Sequence, residues 1–249
     1  MADKTLASHY EEFYDKASAI PQQADARELE LFASLLPAGK HLKVLDLGCA
    51  EGKLALALAA RGHAVAAADI SAKQLEKAAE AAKAAGLRLE TAKVDIEAGP
   101  GPLAGRVFDS IYLMDVIEHF KNPVIALEHI RPLLADDGFL YIHTPNVYAL
   151  DRLIYYVLRP RKLVDFRENR KLWDFHFQTY DYMTLEKTLN FLGFKIARLV
   201  PTRLSVPRLF RSARLARWFP FMADTLLAEC RKAQPIDVDA QIGFWEGKA

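Results

Sequence analysis

Val-Leu-Asp-Leu-Gly-Cys-Ala-Glu-Gly-Lys, Val44 to Lys53, decides how the rest of the chain is read. A short apolar run ends in Asp46, and a loop carrying Gly48, Ala50 and Gly52 follows. Leu54 to Ala60 then reads as a helix. Strand, small-residue loop and helix together describe the first turn of a nucleotide-binding α/β sheet, whose ligands sit at the carboxyl ends of the strands. The glycines let backbone approach a ligand closely because no Cβ intervenes. The dinucleotide fingerprint G-x-G-x-x-G is absent, since the corresponding positions are Gly48, Ala50 and Lys53. An acidic residue two places before the first glycine is ill-suited to a pyrophosphate. Asp46 suits a cationic group instead, such as an amino group.

Working outward, Ala64 to Ala68 is an apolar run that ends at Asp69-Ile70. An acidic residue about twenty positions past a glycine loop suits ribose hydroxyls; it could equally cap the helix expected from Ser71 to Ala85. Leu87 to Val94 reads as a third strand followed by Asp95-Ile96, and Gly99-Pro100-Gly101-Pro102 is loop. Phe108 to Leu113 gives a fourth strand, and Asn122-Pro123 opens a helix through Leu134. Asp136-Asp137-Gly138 turns into a fifth strand, Phe139 to Thr144. A helix from Asp181 to Leu192 precedes strands at Phe194 to Val200 and Thr225 to Lys232.

The loop at Val44 to Lys53 resembles motif I of the class I S-adenosylmethionine-dependent methyltransferases. Phe-Asp-Ser-Ile-Tyr-Leu-Met-Asp-Val-Ile-Glu-His-Phe (108 to 120) and Leu-Leu-Ala-Asp-Asp-Gly-Phe-Leu-Tyr-Ile-His-Thr-Pro-Asn (133 to 146) resemble later motifs of the ubiquinone-biosynthesis O-methyltransferase group within it. His-Phe-Gln-Thr-Tyr-Asp-Tyr-Met-Thr-Leu, followed by Gly-Phe-Lys-Ile, is similar to the segment before that group's sixth strand. The resemblance implies a Rossmann-like α/β fold: a seven-stranded, mostly parallel sheet with helices on both faces and an antiparallel last strand. It also implies S-adenosyl-L-methionine as cofactor. Asp46, Gly48, Ala50 and Gly52 would then hold the methionine part, and Asp69 the ribose. Ile70 would pack on the adenine, with Asp95, Ile96 and Met114 at its edge and Tyr10 or Tyr14 closing over the whole. Ala50 departs from the family's usual glycine.

Composition narrows the partners. The chain has 249 residues, a formal net charge of +1 and 51% hydrophobic residues. That is enough for one substantial core, expected over residues 1–233 with a flexible tail at 234–249. So balanced a charge recommends no polyanion, and the basic residues lack the interleaved aromatics of a nucleic-acid groove. Cys49 and Cys230 show no metal-ligand spacing and read as reduced and structural. The amino terminus lacks the pattern of a signal peptide, and no apolar run approaches the ~20 residues that cross a bilayer. A cytoplasmic protein is expected, of unspecified oligomeric state.

Residues 148–177 mix aromatic, aliphatic and basic side chains and are expected to form a lid over a small-molecule or lipid-linked acceptor. Eight basic residues and no acidic one lie between Lys187 and Ala223. Within that stretch, Pro207 to Phe219 places Arg208, Arg211, Arg214 and Arg217 on one half of a helical wheel. Such a helix, in a basic segment at 203–222, would lie on an anionic membrane surface or dock on the sheet. Methyl transfer from a sulfonium to a hydroxyl needs a base to take the acceptor's proton, and histidine suits that near neutral pH. His176 is the first candidate, His119 the second, and His143 a third. Asp115 and Asp174 could orient a histidine or bind a metal, but no spacing specifies a metal site.

Overall fold

The structure, a computed structural model, describes residues 26–158, 176–206 and 209–235. Within them β1 (Lys43–Leu47), β2 (Ala64–Asp69), β3 (Glu90–Lys93), β4 (Phe108–Met114), β5 (Leu134–Pro145) and β6 (Phe194–Val200) run parallel. The last strand of the sheet, β9 (Thr225–Lys232), is antiparallel and inserts between β5 and β6, giving the order β3-β2-β1-β4-β5-β9-β6. The expected seven-stranded, mostly parallel sheet is therefore present. The chain reverses its strand order beside β1 and β4, the crevice where α/β sheets bind ligands. Residues 44–47 of β1 are all buried, as befits a strand covered on both faces.

Helices α1 (Ala26–Ala33), α2 (Lys53–Ala60) and α3 (Ala72–Ala84) cover one face. There Phe32, Leu54, Leu58 and Leu75 pack with Val44, Tyr112 and Tyr141. The other face carries α4 (Pro123–Ile130) and α6 (Tyr182–Phe191), whose Leu127, Ile130, Leu185 and Leu189 meet Leu45, Ile111 and Leu140. Local chemistry sets the helix starts. Ser71 Oγ accepts the Gln74 amide, Asn122 Oδ1 accepts that of Ile125 ahead of Pro123, and Asp181 with Thr184 forms a reciprocal capping box. Cys49 and Cys230 are free and buried.

Two expectations need correction. The helix after Asn122 stops at Ile130 rather than Leu134, because Pro132 has no N–H to continue the ladder; Arg131–Leu133 follow as a single 3-10 turn. β5 then begins at Leu134, and Asp136-Asp137-Gly138 form a bulge inside it: Phe108 pairs with Leu134 but Ser110 with Phe139.

The single amphipathic helix expected over 207–219 does not form. Instead β7 (Leu204–Val206) and β8 (Phe210–Ser212) pair as a hairpin, and a short helix, α7 (Ala213–Ala216), follows. The reason is side-chain anchoring. Asp224 accepts bonds from the Ser205 amide at 2.9 Å, the Ser205 hydroxyl at 2.6 Å and Arg203 Nε at 3.0 Å, which extends the chain from 203. Ser212 Oγ accepts the Leu215 amide, so the helix begins only after Ser212. Pro207 and Arg208 lie outside the described residues, as do Tyr10, Tyr14, Asp174 and the tail from residue 236.

Between β5 and this hairpin runs α5 (Leu150–Leu158), and Leu150 packs with Leu204, Ala216 and Ala223 in a small separate cluster. Fully buried Asn146 ties the cluster to the sheet. Its amide nitrogen donates to the carbonyls of Phe221 and Ala223, both at 2.8 Å.

Candidate functional site

At the carboxyl end of the sheet a pocket opens between the loops after β1, β2, β3 and β4. Its walls include Leu47, Gly48, Asp69, Ile70, Val94, Asp95, Ile96, Asp115, Val116, His119 and Phe120. A wider hollow of about 830 Å³ lies at the amino ends of the strands, between Leu42, His63 and Asp137. That is the wrong end of an open α/β sheet for ligand chemistry.

The glycine loop is built by backbone constraint. Gly48 has φ 77° and its amide donates to the Ala68 carbonyl at 2.7 Å; a Cβ there would overlap the Val116 side chain. Ala50 adopts φ 46°, a left-handed conformation unusual for a residue with a Cβ. It is held there because its amide donates to Asp69 Oδ2 at 2.9 Å. Asp69 Oδ1 accepts the Ser71 amide at 2.9 Å; the helix cap itself is Ser71, so Asp69 braces the loop and lines the pocket rather than capping the helix. Each oxygen keeps a second lone pair that can accept from a ribose hydroxyl.

Asp46 lies beneath the loop, 3% exposed, and accepts the Ala55 amide at the start of α2. Its Oδ2 has no partner among the described residues. Burial pushes the carboxyl up to about 7, against the Ala55 amide and with the charge of Asp69 adding to the rise. A buried carboxylate oxygen with nothing to bond it fits an incoming ammonium. Asp95 keeps its position by accepting the Glu97 amide at 3.2 Å. Gly52 is behind the loop, with a Cβ at its position only 2.8 Å from that of Ala78. Met114 is not on the pocket wall; it packs against the opposite cluster, with Phe32 and Tyr112.

Beyond the loop, the segment after β4 carries three ionisable groups, Asp115, Glu118 and His119, of which Asp115 and His119 line the pocket. Asp115 has φ 55° and its Oδ1 lies 2.9 Å from Nδ1 of buried His143. Glu118 is 2% exposed; Thr144 Oγ1 donates to its Oε2 at 2.9 Å, while Oε1 has no partner among the described residues. Burial pushes Glu118 up to about 7, with the Asp115 charge adding. His119 meets His176 edge to face, with ring centroids 4.8 Å apart. Burial, and then the neighbouring His119, push His176 down to about 4. Of the three histidines singled out in the sequence, His119 and His176 are thus neighbours, while His143 pairs with Asp115. Val94, Val116 and Phe120 line it without having been expected; the apolar flanks of Asp95 and of Asp-Val-Ile-Glu-His-Phe are where they could have been sought.

A family model described as a methyltransferase domain matches residues 13–199. The chain belongs to that family. Over 107 residues the methyltransferase is 34% identical to a ubiquinone biosynthesis O-methyltransferase of Histophilus somni (strain 2336), covering 42% of this chain and 45% of that protein. It is 37% identical over 109 residues to its namesake in Caulobacter vibrioides, covering 42% and 41%. The matched stretch is under half the length of these curated relatives.

Among solved structures it is similar to magnesium protoporphyrin IX methyltransferase from Synechocystis PCC 6803 with bound S-adenosylmethionine. The TM-score there is 0.60 at 17% identity, over 94% of this chain and all of that one. The Burkholderia thailandensis 1,6-didemethyltoxoflavin-N1-methyltransferase gives 0.61 at 18%, over 92% and 88%. These likenesses establish the class I methyltransferase fold. The cofactor of the family is S-adenosylmethionine, and the residues present fit it: an unpartnered buried oxygen on Asp46, a glycine on the pocket wall at Gly48, and apolar walls at Ile70, Ile96 and Phe120 beside Asp95.

Proposed function

We propose that this methyltransferase moves the methyl group of S-adenosylmethionine to a hydroxyl of a small or lipid-linked acceptor. The bound cofactor supplies an activated methyl on a sulfonium, so the chain's own task is to align the acceptor and exclude water. Asp46, Gly48, Ala50 and Gly52 hold the methionine end, Asp69 the ribose, and Asp95 the adenine amine between Ile70 and Ile96.

The observation that carries the hydroxyl reading is the pairing of His119 with His176 at the rim, His119 itself being on the pocket wall. Two imidazoles beside the carboxylates of Asp115 and Glu118 are equipped to handle an acceptor proton, which an amine acceptor would need less. The printed names of the curated relatives, O-methyltransferases of ubiquinone biosynthesis, point the same way.

The lipid-linked part of the reading rests on exposed apolar side chains in α5 and in residues 209–219. Trp218 is 81% exposed, Leu209 79% and Val157 78%, with Arg211, Arg214 and Arg217 in the same segment. Exposed apolar side chains among arginines suit contact with an anionic bilayer surface. No helix among the described residues is long and apolar enough to cross a membrane.

The deciding experiment titrates S-adenosylhomocysteine into wild type and Asp69→Ala by calorimetry. It then follows transfer of labelled methyl to phenolic, aliphatic-hydroxyl and amine acceptors. Binding that Asp69→Ala removes, with label on hydroxyls, supports the reading. Label on amines alone overturns the acceptor class; cofactor binding without turnover on any acceptor would make the chain a binding module.

A further inference from the structure

Asn146, the residue that follows β5, is fully buried, and each of its polar groups meets a partner. Oδ1 accepts the Tyr148 amide at 3.0 Å, and the carbonyl accepts Arg152 Nη1 at 2.7 Å, which holds the start of α5. Nδ2 donates to the carbonyls of Phe221 and Ala223, and the backbone amide donates to the Asp224 carbonyl at 3.2 Å. Asp224 in turn anchors the β7–β8 hairpin through Ser205 and Arg203. On its remaining side Asn146 pairs with Tyr180 in a parallel bridge, and the Val147 amide donates to the Tyr180 carbonyl at 3.0 Å. His176 belongs to that segment, shortly before Tyr180.

We infer that Asn146 is a positioning residue for methyl transfer. It sets α5, the β7–β8 hairpin and the His176 segment beside the pocket rim as one cooperative unit, separate from the cofactor pocket.

The packing makes the unit separate. Leu204, Ala216 and Ala223 form a small core of their own with Leu150 at its edge, apart from the clusters on the two sheet faces. No residue of α5 is buried, so apolar contact holds that helix weakly. Elements with few buried apolar contacts open at low free energy, often as contiguous cooperative units. Their place is therefore fixed by the polar junction at Asn146.

The side-chain amide suits this task because it carries two donors and an acceptor on one planar group. Its donors hold the lead-in to β9 and its acceptor holds the lead-in to α5. Truncation would leave the carbonyls of Phe221 and Ala223 and the amide of Tyr148 without that partner, at greatest cost beside buried Ala223.

The cofactor pocket is built elsewhere: among the described residues its walls come from residues 47–120. The unit reaches the pocket through His176, whose ring centroid lies 4.8 Å from that of His119 on the wall. The Gln178 amide adds a second link, donating to the Glu118 carbonyl at 3.0 Å. Misplacing a reacting group by about 1 Å can cost about a hundredfold in rate, so a shift at Asn146 acts on the acceptor and leaves the cofactor in place. This role rests on the acceptor-side reading of His176 above; the cooperative unit does not.

The test follows amide hydrogen exchange by mass spectrometry on the full chain saturated with S-adenosylhomocysteine, whose affinity is measured by calorimetry. In Asn146→Ala, α5, residues 178–184 and the β7–β8 hairpin should exchange faster by one common factor of about tenfold or more. β1, β2 and β4 should exchange as in wild type, and the analogue should bind with unchanged affinity. Arg152→Met, which removes a bond to the Asn146 carbonyl, should speed the same three segments by a smaller common factor. Methyl transfer by Asn146→Ala, to the acceptor that labelling identifies, should fall about tenfold or more in kcat/KM. Unchanged exchange, segments that respond separately, or faster exchange throughout the sheet with loss of analogue binding overturns the unit. Faster exchange with kcat/KM unchanged overturns the positioning role. No turnover by wild type on any acceptor would overturn the functional reading, and the exchange pattern would still decide for or against the unit.

Discussion

Asp115 and His143 are joined twice. The Asp115 amide donates to the His143 carbonyl at 3.0 Å, and His143 Nδ1 lies 2.9 Å from Asp115 Oδ1. The pair closes the carboxyl ends of β4 and β5 at the point where Asp115 turns the chain through φ 55°. Burial alone would lower His143, but Asp115 pulls it above its ordinary value. Partial desolvation would raise Asp115, whose side chain keeps 56% exposure, yet His143, with His119 and His176 behind it, holds it below its own value.

The sign of the resulting pH dependence follows. A raised histidine stabilises the fold below about 6.5 and loses that contribution as the pH climbs through the folded value; a lowered aspartate contributes above about 3.8 and loses it as the pH falls. The stability gap between wild type and Asp115→Asn should be widest from about pH 4 to 6.5 and narrow above that. Asparagine tolerates the left-handed backbone, so Asp115→Val should cost about 1–2 kcal/mol more than Asp115→Asn. Urea unfolding across a pH series checks both; equal costs for the two variants would contradict the backbone argument.

Neighbouring positions of the glycine loop should respond in opposite directions. Gly48→Ala adds a Cβ that overlaps Val116 at positive φ, and about 2–3 kcal/mol of destabilisation is expected, with loss of cofactor-analogue binding. Ala50→Gly removes a Cβ from φ 46° and should stabilise by about 1 kcal/mol, with binding retained. Thermal unfolding and calorimetry on the two variants provide the comparison.

Asp46 should make cofactor binding pH-dependent. Its carboxyl is pushed up to about 7 by burial, and an ammonium ligand favours the ionised form. Binding therefore releases a proton below pH 7, and affinity for S-adenosylhomocysteine should rise with pH by up to about tenfold per unit before levelling off. In Asp46→Asn the affinity should be lower and flat between pH 6 and 8. A parallel rise in that variant would move the effect to another group.

The exposed apolar and basic side chains of residues 209–219 should bind vesicles containing anionic lipid. Trp218→Ser combined with Leu209→Ser, or Arg211, Arg214 and Arg217 changed to Glu, should each remove sedimentation with them. Equal sedimentation with neutral and anionic vesicles would leave the arginines without that role.

What the sequence determined is what neighbouring residues decide among themselves. Strand, glycine loop and helix at Val44 to Ala60 are a continuous stretch whose backbone geometry depends on its own small residues, so the sheet, its first loop and the acidic ends at Asp69 and Asp95 were legible. The tertiary structure alone decided which distant groups meet. The arginine periodicity over 207–219 suggested a helix, yet Asp224, on the far side of the segment, bonds Arg203 and Ser205 and sets a hairpin there. Likewise no spacing could announce that His176 would reach Glu118 and His119, or that His143 would pair with Asp115. Those contacts follow from the order of β4, β5, β9 and β6 and from the packing of the loops above them. Long-range packing energy, not local propensity, selects that arrangement.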